Sequence, residues 1–119
     1  MGYVRVKAVL ANPYDRSKRV ELSLLADTGA IYTAIPEPIL VDLGVSVTGR
    51  RRFKLASGEV EEYPVGEAYV EVEGEGVTSL VAFLPKGSTP LLGVTTLELL
   101  GLEVDPTTGK LKPMELLLL

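Results

Sequence analysis

Leu22-Ser23-Leu24-Leu25-Ala26-Asp27-Thr28-Gly29-Ala30 is the stretch on which the reading turns. An apolar strand over residues 20–26 runs directly into an acid, a hydroxyl and a glycine. Each of these three types is common in turns, so the triplet by itself is ordinary turn material. Its position is less ordinary. A carboxylate at the end of an apolar strand is costly to ionise unless something nearby stabilises it. Thr28 supplies a hydroxyl, and Gly29 permits a tight turn with close backbone approach.

Moving outward, residues 3–10 read as a strand that pairs with 20–26 across the turn cluster at 12–17. Residues 31–35 form a short β-branched strand. Pro36-Glu37-Pro38 then opens a helix over 37–43, with Gly44 just past its end. Residues 47–55 and 59–63 flank Ala56-Ser57-Gly58, a hairpin signal. The alternating run 67–73 predicts Ala68, Val70 and Val72 facing inward. After the Gly74-Glu75-Gly76 turn, 77–84 is a strand whose unbroken apolar run, 80–84, suggests burial on both faces. Thr95-Thr96-Leu97-Glu98 has the pattern of a capping box, with Thr95 as the cap of a short helix that stops at Gly101. Two last strands, 102–105 and 110–112, are joined by Pro106-Thr107-Thr108-Gly109. The expected architecture is one all-β domain over 1–119, with seven to nine strands and two short helices. Closure into a barrel is the expected way to hide so many strand edges.

Composition narrows the chemistry. The 119 residues contain no cysteine and no histidine. That excludes a disulfide framework, a thiol nucleophile, a Ser-His pair and a His-ligated zinc. Carboxylates, lysine, tyrosine or a bound cofactor remain. A net charge of −4 and a pI of about 4.9 argue against a dedicated nucleic-acid binder. Arg50-Arg51-Arg52 reads as a solvated strand end. The glutamates at 59, 61, 62, 67, 71, 73 and 75 read as solvent faces that discourage edge pairing, not as a metal site. Tyr32 and Tyr63 read as core or rim aromatics. The N-terminus alternates rather than forming an apolar core, so no signal peptide is expected. No apolar run approaches the ~20 residues of a membrane span. A cytoplasmic location without a membrane partner is the expectation. Leu116 to Leu119 read as a strand end or an oligomer contact.

Beyond the hairpin comes Leu91-Leu92-Gly93, an apolar-apolar-Gly element leading into a helix. The order of strand, Asp-Thr-Gly-Ala, strand, helix, hairpin, strands, apolar-apolar-Gly and helix resembles the retropepsin-like aspartic proteases. The final stretch looks like their cellular and prokaryotic single-domain members. The resemblance covers roughly residues 4–111 and implies a closed retropepsin-like barrel acting as a homodimer on peptide or protein substrates. It implies that Asp27 is catalytic, paired with Asp27 of a second copy. Thr28 would bond across the two-fold axis, Gly29 would face the substrate backbone, and Ala30 would complete the active-site loop. Ala56, Ser57 and Gly58 would be the flap, and Leu91, Leu92 and Gly93 would support the loop. Such a carboxylate pair needs no cofactor and no metal.

The chain has four aspartates, of which only Asp27 is followed by Thr-Gly, so one chain supplies half a dyad. The viral members carry an acid after Asp-Thr-Gly-Ala and an arginine after apolar-apolar-Gly. Here those positions are Ile31 and Val94, which predicts that the two lie in contact or share one small apolar cluster in place of an ion pair. A fold alone does not prove activity. The alternative is a non-catalytic peptide- or protein-binding module on the same fold. A third reading makes the chain a subunit of a larger assembly that docks through its C-terminal leucines.

Overall fold

The computed structural model describes residues 3–118. Met1, Gly2 and Leu119, and with them part of the expectations for both ends, lie outside the described residues. Strands β1 (Tyr3–Asn12) and β2 (Asp15–Asp27) form a long hairpin. It is longer than the alternation of residues suggests, because only Pro13 and Tyr14 are needed to turn the chain. Asn12 makes the corner rigid. Its side-chain amide donates to the carbonyls of Leu43 and Gly44 at 3.0 and 3.1 Å, and its Oδ1 accepts from the Tyr14 N–H at 2.8 Å.

Strand β3 (Thr33–Pro36) is buried along its whole length and feeds helix α1 (Glu37–Asp42). Proline sits in the first turn of this helix, and Gly44 takes a φ of 74° just beyond its end. That left-handed conformation is cheap only for glycine, as the sequence predicts. Strand β4 (Val47–Lys54) pairs with β5 (Val60–Val72), which then pairs with β6 (Glu75–Leu84). The sequence reading breaks β5 at Pro64-Val65-Gly66, but the strand runs through. At Pro64 its neighbour is β4 alone, since pairing with β6 begins at Val65, and so the missing N–H need not cost a bond on the second edge. Gly66 is required for another reason: a side chain there would overlap the Ser46 carbonyl.

The remaining elements are β7 (Leu91–Leu92), α2 (Val94–Leu100), β8 (Leu102–Asp105) and β9 (Lys110–Pro113). Helix α2 starts two residues earlier than the capping-box reading implies. Gly93 is its N-cap, no side chain caps it, and Thr95 lies inside the first turn. Gly101, with φ 72°, ends it as expected. Beyond β9 the chain is no longer a strand: Leu116, Leu117 and Leu118 are exposed, the last two at 97%.

The seven-stranded sheet has the order β1-β2-β7-β3-β6-β5-β4, and an extra β1–β5 pairing closes six of these strands into a ring. Strands β2–β7 and β3–β6 are parallel, and the other pairs in the sheet are antiparallel. The fold is therefore mostly β, with two short helices. Alternation fills the ring as predicted: Ala68, Val70 and Val72 are buried and pack with Leu10, Leu24, Ile35, Val81, Leu92 and Leu97. Strand β4 and the first residues of β5 stand outside the ring as a two-stranded arm.

Two exposed turns carry the resolved pKa shifts. The Ser17 hydroxyl and N–H hold the Asp15 carboxyl below its ordinary range, and the Thr107 N–H does the same for Asp105. Each therefore stabilises the native state at neutral pH and loses that contribution as pH falls through its lowered value. Asp105→Ala is expected to lower the urea midpoint at pH 7, and the gap from wild type should close below the carboxylate range. Urea titrations at both pH values check this.

Candidate active site

Asp27 is the last residue of β2, half-buried where the strand leaves the ring. The turn that follows folds back on it. The Gly29 N–H donates to Asp27 Oδ1 at 2.8 Å, and the Ala30 N–H donates to the Asp27 carbonyl at 3.0 Å. One carboxylate oxygen is thus held by a backbone donor, which fixes the orientation of the carboxyl group at the end of an apolar strand. Thr28 and Gly29 are exposed beside it.

The support is built from Leu91, Leu92 and Gly93. Leu25 and Ala26 pair in parallel with Leu91 and Leu92, and the Leu25 N–H donates to the Pro90 carbonyl at 3.0 Å. Past Gly93 the chain crosses the outgoing side of the Asp27 turn. The Val94 N–H donates to the Ala30 carbonyl at 2.8 Å, and the Thr95 N–H to the Ile31 carbonyl at 3.0 Å. Both sides of the turn are therefore pinned to one segment. Ile31 and Val94 are brought together through this backbone ladder rather than through a buried side-chain cluster. Ile31 is 54% exposed, and neither residue belongs to the two apolar clusters of the fold.

Asp27 opens onto a cleft of about 810 Å³. Its floor is the second apolar cluster, Ala34 and Ala82 with Tyr32, Leu84 and Leu91 packed against them. Its roof is the β4–β5 arm, which contributes Phe53, Leu55, Ala56 and Tyr63. The arm touches the body through aromatic rings. Phe53 meets Tyr32 edge-on with centroids 5.5 Å apart, and lies 6.0 Å from Tyr63. Such contacts add roughly 0.5–1.5 kcal/mol beyond area burial. Ala56, Ser57 and Gly58 form the exposed tip, closed by Gly58 N–H to the Leu55 carbonyl and Leu55 N–H to the Glu59 carbonyl, both at 2.8 Å. Of the three predicted flap residues, only Ala56 lines the cleft.

The residues that sequence reasoning missed are these cleft walls. Phe53 carries no local signal of a binding role, and Tyr32 and Tyr63 read from the sequence as core or rim aromatics. The signal was present in part, because Phe53 and Tyr63 lie close across a predicted hairpin. Arg50 and Glu62 on the same hairpin form an exposed ion pair at 2.7 Å, in keeping with a solvated strand. Among the described residues no group of three acids converges as a metal site, and no helix is long and apolar enough to cross a membrane.

No protein-family model matches this chain, and no curated protein matches it. Solved structures do. The foamy viral protease-reverse transcriptase, in its complex with an RNA/DNA hybrid, superposes with a TM-score of 0.59 at 20% sequence identity. The likeness covers 98% of this chain and 13% of that one, so this chain spans a small part of the viral protein. At that identity the likeness carries the fold.

The tightest packing in the site is at Gly93, where a side chain would overlap the Tyr32 carbonyl group. Both neighbours are main chain and cannot yield as a flexible side chain would. Gly93→Ala is expected to destabilise the fold by at least about 2 kcal/mol. Chemical denaturation against wild type checks this.

Proposed function

We propose that this chain is one subunit of a retropepsin-like aspartic endopeptidase, with Asp27 as its catalytic residue. The observation that carries the reading is the Asp27 carboxylate, held by the Gly29 N–H at the mouth of an apolar cleft roofed by a hairpin arm. Among the described residues, no other carboxylate lines that cleft. A second carboxylate then comes from Asp27 of a second copy across a two-fold axis, with Thr28 and Gly29, both exposed, at the meeting point.

Two acids at close range share one proton, since both cannot ionise easily. A water between them gives a proton to the ionised carboxylate as its oxygen attacks the peptide carbonyl carbon. The protonated carboxyl gives its proton to the carbonyl oxygen. The resulting tetrahedral diol collapses when the peptide nitrogen takes a proton, the C–N bond breaks and a hydroxyl proton returns to the pair. The arm, closing over an extended peptide, excludes bulk water. No cofactor or metal enters the scheme.

One feature favours a second reading. A single chain presents one carboxylate in the cleft, which suffices to bind a peptide but not to share a proton. A strict monomer that binds peptides without cutting them would be a recognition module.

Digestion of a peptide library across pH decides between them. Cleavage should favour acid to mildly acidic pH, where the pair holds one proton. Asp27→Asn should keep the fold and dimer while losing about 10²–10⁴-fold in rate. Full activity in that variant would sink the proposal, as would a wild-type chain that sediments as a monomer and cuts nothing.

A further inference from the structure

Behind the Asp27 turn, three buried hydroxyls from three different elements meet. Thr33 on β3 and Thr96 on α2 are fully buried, and Ser79 on β6 is 3% exposed. Thr33 Oγ1 lies 2.6 Å from Thr96 Oγ1, and Thr96 Oγ1 lies 2.8 Å from Ser79 Oγ. The two ends of this row are chemically fixed. At one end the Gly93 N–H donates to Thr33 Oγ1 at 3.0 Å. At the other the Ser79 hydroxyl donates to the Leu80 carbonyl at 3.3 Å.

A hydroxyl has one hydrogen to give. With its hydrogen on the Leu80 carbonyl, Ser79 must accept from Thr96. Thr96 must then accept from Thr33, and the Thr33 oxygen is left to accept from Gly93, which can only donate. We propose that this row is a one-way chain, Gly93 to Thr33 to Thr96 to Ser79 to Leu80, and that Thr33 and Thr96 are positioning residues for Asp27.

The route to the carboxylate is short. Gly93 immediately precedes Val94 and Thr95, whose N–H groups hold the Ala30 and Ile31 carbonyls on the far side of the Asp27 turn. A polar group left without its partner here is buried and has no water to turn to. Loss of one link therefore shifts Gly93 and, through it, the turn. The chain also ranks its members. Thr33, Thr96 and Ser79 each give and accept, and the Leu80 carbonyl is the terminal acceptor, so losing Ser79 strands the Thr96 hydroxyl at the end of the row away from Gly93, whereas losing Thr33 removes the acceptor of the Gly93 N–H itself.

The catalytic part of this proposal rests on the endopeptidase reading, so the experiment has one readout that needs no cleavage. Hydrogen exchange of the Gly93 amide is measured in wild type, Thr96→Val, Thr96→Ser, Thr33→Ser and Ser79→Ala, together with kcat and KM on a cleaved peptide. Thr96→Val should speed Gly93 exchange and lower kcat roughly tenfold with KM unchanged, corresponding to one buried hydrogen bond. Thr96→Ser and Thr33→Ser, which keep the hydroxyl, should restore both, and Ser79→Ala should fall between. If Thr96→Val leaves Gly93 exchange at the wild-type rate, the chain is overturned. If exchange changes but kcat does not, the positioning role is overturned. Should Thr96→Val fail to fold, Ser79→Ala against Thr33→Ser decides by the same two readouts. A wild-type protein that cleaves nothing would refute the endopeptidase reading, leaving the hydroxyl chain to stand or fall on Gly93 exchange.

Discussion

The Cα of Gly93 lies so close to the peptide joining Tyr32 and Thr33 that no side chain fits between them. That approach lets a two-residue strand, β7, sit between β2 and β3 and hydrogen-bond to both. Without it the sheet order breaks at the point where the Asp27 turn leaves the ring. Backbone this close must also satisfy its polar groups, since water is excluded. The Gly93 N–H finds the Thr33 hydroxyl, and the N–H groups of Val94 and Thr95 find the carbonyls of the turn. Steric closeness and hydrogen bonding therefore have the same cause: a glycine at a crossing of two chains.

Stability is divided unevenly around this crossing. The ring carries the large cluster, including Leu10, Leu24, Ile35, Leu92 and Leu97, all nearly or wholly buried. The β4–β5 arm has no such core. Most of its residues are exposed, and a two-stranded hairpin is marginal on its own. Its hold on the body is the Phe53–Tyr32 edge contact and the small cluster around Val65, Ala34 and Ala82. Opening the arm therefore costs far less than opening the ring. Under the proposed function, a rigid acid beneath a weakly held roof is the division of labour that admitting an extended peptide requires.

Local signals in the sequence were sound where the physics is local. Gly44 and Gly101 end their helices with positive φ, and Ala68, Val70 and Val72 face inward, as spacing alone requires. Asp27 with its glycine turn, and the apolar-apolar-Gly segment, could be picked out because each is a short, contiguous pattern. What stayed hidden depends on distant partners. Thr96 meets Thr33 across 63 positions, and nothing in the neighbourhood of either shows it. The capping-box pattern at Thr95 misled because Gly93 already starts the helix and Thr96 is committed to the interior. Pro64 and Gly66 looked like a break because their pairing on the outer arm and against Ser46 is a tertiary fact. The aromatic wall of the cleft was missed for the same reason, since Tyr32 and Phe53 are joined only when the arm folds over.

The geometry of one carboxylate also limits what one chain can do. Asp27 has one oxygen engaged by the Gly29 N–H, and a single carboxyl group cannot be base and acid in the same step. Hydrolysis of an amide needs both roles at once, because the leaving nitrogen must be protonated while water is deprotonated. The chain has no histidine to supply the second role, and among the described residues no second acid lines its cleft. Exposure of Thr28 and Gly29 then has a consequence. The same turn that holds Asp27 is open to another molecule, so a second carboxylate can reach the first without disturbing the Gly93 crossing behind it. Under the proposed function, association and chemistry are therefore a single requirement. The buried side of the turn fixes the position of each acid, and its exposed side is where the acid's missing partner must arrive.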